Sequence, residues 1–225
     1  MRFILVALCL VVPSLALAAD ESHQIWSSIT VHKKLTDAWS FYFDGNLRLY
    51  DDHHGSQILL RPGVMRRLTE DLSVYLAYAW TPSWDDATGD MTDEHRIWQQ
   101  LAWNIGGIGA FSFYSRSRLE ERFRPATSDD LGVRFRELLR VIWKANDLFG
   151  ISVWDEFFID LNAADDENGE RWQRFGLDQN RLFIGPTAYF PCNVRIEIGY
   201  LNQYIDVSVP NEMRHVAALN GFVDF

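Results

Sequence analysis

The segment WSFYFDGNLRLY, residues 39–50, decides how the chain reads. Trp39, Phe41, Phe43, Gly45, Leu47 and Leu49 share one face of an extended strand, and Ser40, Tyr42, Asp44, Asn46, Arg48 and Tyr50 share the other. Side chains alternate between the faces of a strand, so one apolar wall is backed by one polar, partly charged wall. Strands of soluble sheets run to about 5–6 residues. A tilted strand crossing a bilayer needs roughly 9–11, and this segment is long enough.

The same period recurs along the chain. LSVYLAYAW groups Leu72, Val74, Leu76, Tyr78 and Trp80. FSFYSRSRLE sets Phe111 and Phe113 against Ser112, Tyr114, Arg116, Arg118 and Glu120, and VRIEIGY sets Val194, Ile196, Ile198 and Tyr200 against Arg195, Glu197 and Gly199. Helical periodicity is scarce. Strands are predicted at 24–34, 39–50, 56–67, 72–81, 93–104, 109–121, 132–143, 148–159, 178–190, 193–206 and 213–225. Their connections alternate between short turns (LTDA, LTED, GG, KAND, PCN) and longer polar loops near 51–55, 82–92, 122–131, 160–177 and 206–212. Trp39, Trp80, Trp103, Trp143 and Tyr200 stand at strand ends, where aromatic girdles form at membrane interfaces.

These features predict an all-β chain, a transmembrane antiparallel up-and-down β-barrel of about 10–12 strands. Eleven strands are counted, whereas single-chain bacterial barrels have even numbers. Either the first is not a full wall strand, giving ten, or one has been missed, giving twelve. A soluble β-sandwich would also alternate, so the two termini carry weight. MRFILVALCLVVPSLALAAD offers Arg2, an apolar run over 3–12 and a small-x-small site at Ala16-Leu17-Ala18. This predicts a cleaved export signal over 1–18 and a single outer-membrane barrel domain over 19–225. Cys9 lies inside the apolar run after Leu8, out of place for lipid attachment. Its removal leaves Cys192 alone, so no internal disulfide is expected. At the other end, HVAALNGFVDF places Ala217, Leu219, Val223 and Phe225 on one apolar face of the last strand. A terminal aromatic on an alternating strand resembles the sorting signal of outer-membrane proteins. Phe225, Val223 and Leu219 are therefore the expected assembly signal. The expected location is the bacterial outer membrane. The expected partners are its lipid and lipopolysaccharide, and the outer-membrane assembly machinery during biogenesis.

The formal charge is −10, and loss of Arg2 makes it one unit more negative. With no basic patch, nucleic acid is not an expected partner. Acidic runs begin at 51, 85, 129 and 165 and read as solvated loops. The face opposite the lipid is expected to carry a charge network of Asp44, Arg48, Arg61, Glu94, Arg96, Arg116, Arg118, Glu120, Arg134, Arg136, Glu156, Arg181, Arg195 and Glu197, with Arg140 also inward. Arginine dominates, and its planar fork holds two carboxylates at once. Glu137 falls on the apolar side in this register, which predicts a bulge there.

No catalytic residue, cofactor or metal site is assigned. There is no Gly-x-Ser-x-Gly, and no histidine can be placed beside a particular serine. His95, between Glu94 and Arg96, reads better as a member of the salt-bridge network than as a general base. Asp51, Asp52, His53 and His54 read as a loop rather than a zinc site. DDENGE at 165 lacks the ligand spacing of an EF-hand.

The blocks EHRIWQQL from Glu94, RSRLEERF from Arg116, DQNRLFIG from Asp178, GYLNQY from Gly199 and LLRPGV from Leu59 resemble the domain of unknown function 2490 family. The likeness covers nearly the whole chain after the signal. It implies an outer-membrane protein of undefined activity and supplies no catalytic residue. The expected function is a non-enzymatic barrel with a structural role, or a narrow pore, around an arginine-rich, ion-paired lumen. The alternatives are an outer-leaflet lipid-modifying enzyme of lipase or deacylase type, and a surface binding protein acting through its acidic loops.

Overall fold

A computed structural model describes residues 19–50, 55–206 and 211–225. The described residues contain no helix. Strands β1 (Ala19–Lys34), β2 (Trp39–Tyr50), β3 (Ser56–Arg67), β4 (Leu72–Trp84), β5 (Met91–Ile108), β6 (Phe111–Phe123), β7 (Gly132–Lys144) and β8 (Phe149–Asp160) follow one another round the wall. Two short strands, β9 (Ala164–Asp165) and β10 (Arg171–Gln173), form a separate hairpin in the next loop. The wall then resumes with β11 (Gly176–Phe190), β12 (Val194–Ile205) and β13 (Asn211–Asp224).

The wall closes as a barrel of eleven strands. Ten neighbouring pairs are antiparallel, and the seam between β1 and β13 is parallel, in register from Ala19 opposite Asn211 to His32 opposite Asp224. This corrects the even-number expectation. Among the described residues the first strand is a full wall strand, no twelfth is present, and the odd count is absorbed by one parallel ladder. Side chains tie the seam from inside: Ser28 Oγ donates to Asn220 Oδ1 at 2.7 Å, and His32 Nδ1 lies 2.9 Å from Asp224 Oδ1. Phe225 belongs to the seam as well. Its N–H donates to the His32 carbonyl at 2.9 Å, and its own carbonyl accepts from Lys34 N–H at 2.7 Å.

The tight turns share one device. Thr36, Thr69 and Asn146 each accept, through a side-chain oxygen, the backbone N–H three residues on, at 3.0, 3.0 and 2.9 Å. These are the turns that Thr and Asn favour. In the PCN turn, a three-residue loop between Phe190 and Val194, Cys192 and Asn193 both have positive φ, 64° and 55°. No bulge sits at Glu137, because β6 and β7 pair in unbroken register through it. The register shifts instead lie between Asn104 and Gly106 and between Leu177 and Gln179.

The outer face is apolar around the circumference. Ile25, Leu47, Leu76, Ile97, Ile151, Ile184, Ile198 and Leu219 are all exposed. At the short-turn end Trp39, Trp103, Phe111, Trp143, Phe149, Phe190 and Phe225 form a ring of exposed aromatics. The residues on the other face line the lumen, most of them buried or half-buried, so the polar side of this protein is its inside.

Candidate functional site: the barrel lumen

Alternation carries the charges inward in the upper and middle lumen, and the strand register stacks them into levels. Nearest the long loops, Glu94 accepts from Arg96 Nε at 2.7 Å, from Arg122 at 2.6 and 2.9 Å, and from Arg124 Nε at 2.9 Å. Beside it Arg134 Nε meets Asp160 Oδ1 at 2.7 Å, and its Nη2 lies 3.1 Å from Asp178. In the middle, Arg136 bridges two buried carboxylates. Its Nη1 donates to Glu120 at 2.6 Å, while its Nη2 and Nε donate to Glu156 at 2.8 and 3.1 Å. Arg116 Nη2 donates to the same Glu156 oxygen at 2.5 Å. Arg96 and Arg118 approach Glu120 at 3.5 Å, and Arg118 also donates to Gln100 at 2.7 and 3.0 Å. Asp44 and Arg61 form a separate pair, with Nε to Oδ1 at 2.8 Å. Toward the short turns Glu197 lies between Arg140 at 3.7 Å and Arg195 at 3.6 Å, both looser contacts.

Aromatic rings occupy the same space. Arg118 Cζ stacks 3.8 Å from the Trp98 centroid, Arg136 4.3 Å from Phe158, and Arg48 4.0 Å from Trp26. Arg181 rests 4.5 Å from Phe158 and 5.0 Å from Trp26. Arg48 also donates to Asn46 at 3.0 Å and Gln57 at 2.9 Å. Arg181 makes no direct ion pair with Glu156, its neighbour on β8, and its Nε has no hydrogen-bond partner among the described residues. Stacking of a desolvated guanidinium on a ring is worth about 2 kcal/mol. Desolvating an ion costs several kcal/mol even after relaxation, so the rings offset only part of what burying Arg181 costs.

At the long-loop end the β9–β10 hairpin packs over part of this network. Gln173, carried by the β9–β10 hairpin, accepts from Arg122 Nη1 at 3.0 Å and donates to the Val133 and Asn162 carbonyls at 3.2 and 3.1 Å. Trp172 lies over Arg124 at 4.5 Å and Arg122 at 5.3 Å. A side chain on Gly132 would strike both Gln173 and Trp172, so glycine permits this approach. The hairpin is held by Arg171 and Asp165, and the hydrogen bond from Arg171 keeps the exposed Asp165 carboxyl below its ordinary pKa. The short-turn end differs. A cavity of about 810 Å³ opens there, walled by Tyr42, Tyr75, Tyr114, Arg116, Arg140 and Arg195 among others. A smaller cavity of about 120 Å³ continues from it into the mid-lumen. From the short-turn mouth the lumen thus narrows toward the ion-paired network.

Four groups missing from the sequence-derived network belong to it: Arg122, Arg124, Asp160 and Asp178. Arg122 continues the 116, 118, 120 alternation and Asp160 continues from Glu156, so the signal was present. The contribution of Gln173 and Trp172 from a distant hairpin had none.

Outside the lumen, several polar groups face outward. His95 Nε2 pairs with Asp93 at 3.0 Å and its Nδ1 meets the Tyr78 hydroxyl. It therefore sits on the outer wall, apart from Glu94 and Arg96. His215 Nδ1 meets the Tyr200 hydroxyl at 2.6 Å. Glu137 accepts from Ser115 at 2.6 Å and Ser117 at 2.5 Å. Among the described residues no three His, Cys, Asp or Glu side chains converge to hold a metal. His53 and His54, with Asp51 and Asp52, lie outside the described residues.

Closed wall, apolar exterior and ion-paired interior together define an inside-out β-barrel. The chain belongs to the DUF2490 family, proteins of unknown function, whose model matches residues 23–214. An uncharacterised protein of Methylorubrum extorquens is 30% identical over 232 residues, covering 100% of this chain and 98% of the relative.

Proposed function

We propose that this is an integral outer-membrane barrel, exported through a cleaved signal over residues 1–18, with a non-enzymatic, structural role. The observation that carries the reading is the exposed apolar belt with its aromatic ring at the short-turn end. Soluble monomers rarely expose apolar patches beyond a few hundred Å², and this belt runs round the whole wall. In lipid the same belt is the stable arrangement, because a closed barrel leaves no backbone edge unpaired. Its biogenesis partners are the outer-membrane assembly machinery, reading Phe225, Val223 and Leu219, and then lipid and lipopolysaccharide. Cell fractionation tests this directly. The protein should resist carbonate extraction and migrate differently on gels before and after boiling. Recovery as a soluble periplasmic protein refutes the reading. The ion-paired network in the lumen further argues against bulk flow, so planar bilayers should show no large, stable currents.

One observation favours the lipid-modifying alternative. Tyr78, His95 and Asp93 form a hydroxyl–imidazole–carboxylate chain on the outer wall, the arrangement of an activated nucleophile. Release of fatty acid from lipopolysaccharide or phospholipid vesicles by the wild type, lost in Tyr78→Phe, would promote it.

A further inference from the structure

The mid-lumen carries more positive charge than its own carboxylates neutralise. Seven arginines line the inner cavity of about 120 Å³ with two acids, Asp44 and Glu156, and two more carboxylates, Glu120 and Glu197, reach three of those arginines from outside it. Asp44 is committed to Arg61, and Glu156 to Arg116 and Arg136. Arg181 is more than nine-tenths buried, yet its close contacts are ring faces, and Glu156, opposite it on β8, makes no direct ion pair with it. Its Nε, together with the Nε atoms of Arg116 and Arg140, is buried without a hydrogen-bond acceptor among the described residues. Buried guanidinium donors are almost always satisfied. Glu197, whose own oxygens are without a hydrogen-bond partner, stands beside only Arg140 of these three, so the arginine excess still calls for a further acceptor.

We propose that this inner cavity is a binding site for a small oxyanion, of the phosphate or carboxylate type, entering from the short-turn mouth. The chemistry follows from the donors. A guanidinium presents a planar fork that matches two oxygens of one oxyanion, and charge-assisted bonds of this kind are the strong ones. Size fits as well: the cavity holds about four water volumes at roughly 30 Å³ each. The route is continuous, because Thr30, Arg116, Leu138, Arg140 and Phe222 line both the inner cavity and the open vestibule. Arg140 marks the passage. Its ion pair with Glu197 is long, at 3.7 Å, which leaves its donors able to turn to an incoming anion. The proposal rests on the barrel interior described above and not on membrane residence.

The probe is inorganic phosphate. The full chain, folded in zwitterionic detergent, is dialysed to equilibrium against labelled phosphate in Hepes buffer of fixed ionic strength. The wild type should bind one phosphate per chain, saturably, and phosphate should raise its unfolding temperature. Arg181→Met should bind at least tenfold more weakly and lose the thermal response. Arg140→Met should do the same. Arg67→Met, at an exposed position at the short-turn end, should bind as the wild type does. Arg181→Met should fold readily, since it replaces an unpaired buried cation with an apolar chain. Folding of each variant is checked by circular dichroism and by the gel shift on boiling. Absence of saturable binding to the folded wild type overturns the site. So does wild-type affinity in both folded lumen variants. A barrel that binds phosphate but fractionates as soluble keeps this site and sinks the membrane reading, so the two fail separately.

Discussion

Removing the Glu120 carboxylate tests the ion-paired network most sharply. Glu120 is 1% exposed and serves three arginines: Arg136 at 2.6 Å, and Arg96 and Arg118 at 3.5 Å. Breaking a buried ion pair by deleting one partner costs about 3–5 kcal/mol, because the other charge is left uncompensated. Each arginine here keeps a second acceptor: Arg136 has Glu156, Arg96 has Glu94 and Arg118 has Gln100. Glu120→Ala should therefore fall near the lower end, about 3 kcal/mol. With a urea slope of roughly 1–3 kcal/mol/M, the midpoint should drop by about 1–3 M. The assay is urea unfolding of the barrel in detergent, followed by tryptophan fluorescence, with Asp86→Ala in an exposed loop as control. Adding Arg136→Met to Glu120→Ala should recover part of the loss, since it removes the cation that Glu120 held most closely, while Glu156 keeps Arg116. Equal midpoints for Glu120→Ala and Asp86→Ala would refute the idea that the network is held by its charges. Failure of Arg136→Met to rescue would show that packing, not charge, sets the loss.

Other outcomes are expected from single positions. Deleting Phe225 should slow assembly and raise degradation by periplasmic proteases, because it removes both the terminal ring and two seam hydrogen bonds; Asp224→Asn should assemble near normally, since it turns inward to His32. Pulse-chase with proteinase treatment checks both, and equal behaviour refutes the terminal signal. Glu137→Leu should raise the unfolding midpoint, since a carboxylate on the outer wall costs more in lipid than leucine does; a lower midpoint would mean that Glu137, with Ser115 and Ser117, faces a protein partner. Tags placed after residue 19 and after Phe225 should label from opposite sides of the membrane. Labelling of both from outside whole cells would contradict the odd strand count.

Much of the wall was legible because it obeys a single rule. Period two fixes which residues share a face, so 39–50 and 56–67 were bounded as the structure bounds them, and Arg116, Arg118 and Glu120 could be grouped. Two things resisted. Closure could not be read, because a parallel seam has no turn and leaves no mark in the sequence; it forms between residues nearly the whole chain apart. Partner choice could not be read either. Alternation says that Arg136 faces inward, but only the register of β6, β7 and β8 says that Glu120 and Glu156 flank it. Glu137 is the instructive case. Its charge on the apolar side suggested a slipped strand, yet Ser115 and Ser117 on the neighbouring strand satisfy it without one. A polar residue out of pattern is as readily answered by neighbours as by a bulge.

The parallel seam also limits how the gene can be rearranged. In an even-stranded barrel the first and last strands meet at the same rim, and a short linker can join them. Here Ala19 and Phe225 lie at opposite rims. The β1–β13 ladder covers Ala19 to His32, which at about 3.3 Å per residue is roughly 45 Å of wall. A circular permutant with a short linker cannot close. A linker long enough to succeed would have to travel that distance as a strand, entering between β1 and β13. It would turn one parallel ladder into two antiparallel ones, and the permuted chain would close with twelve strands.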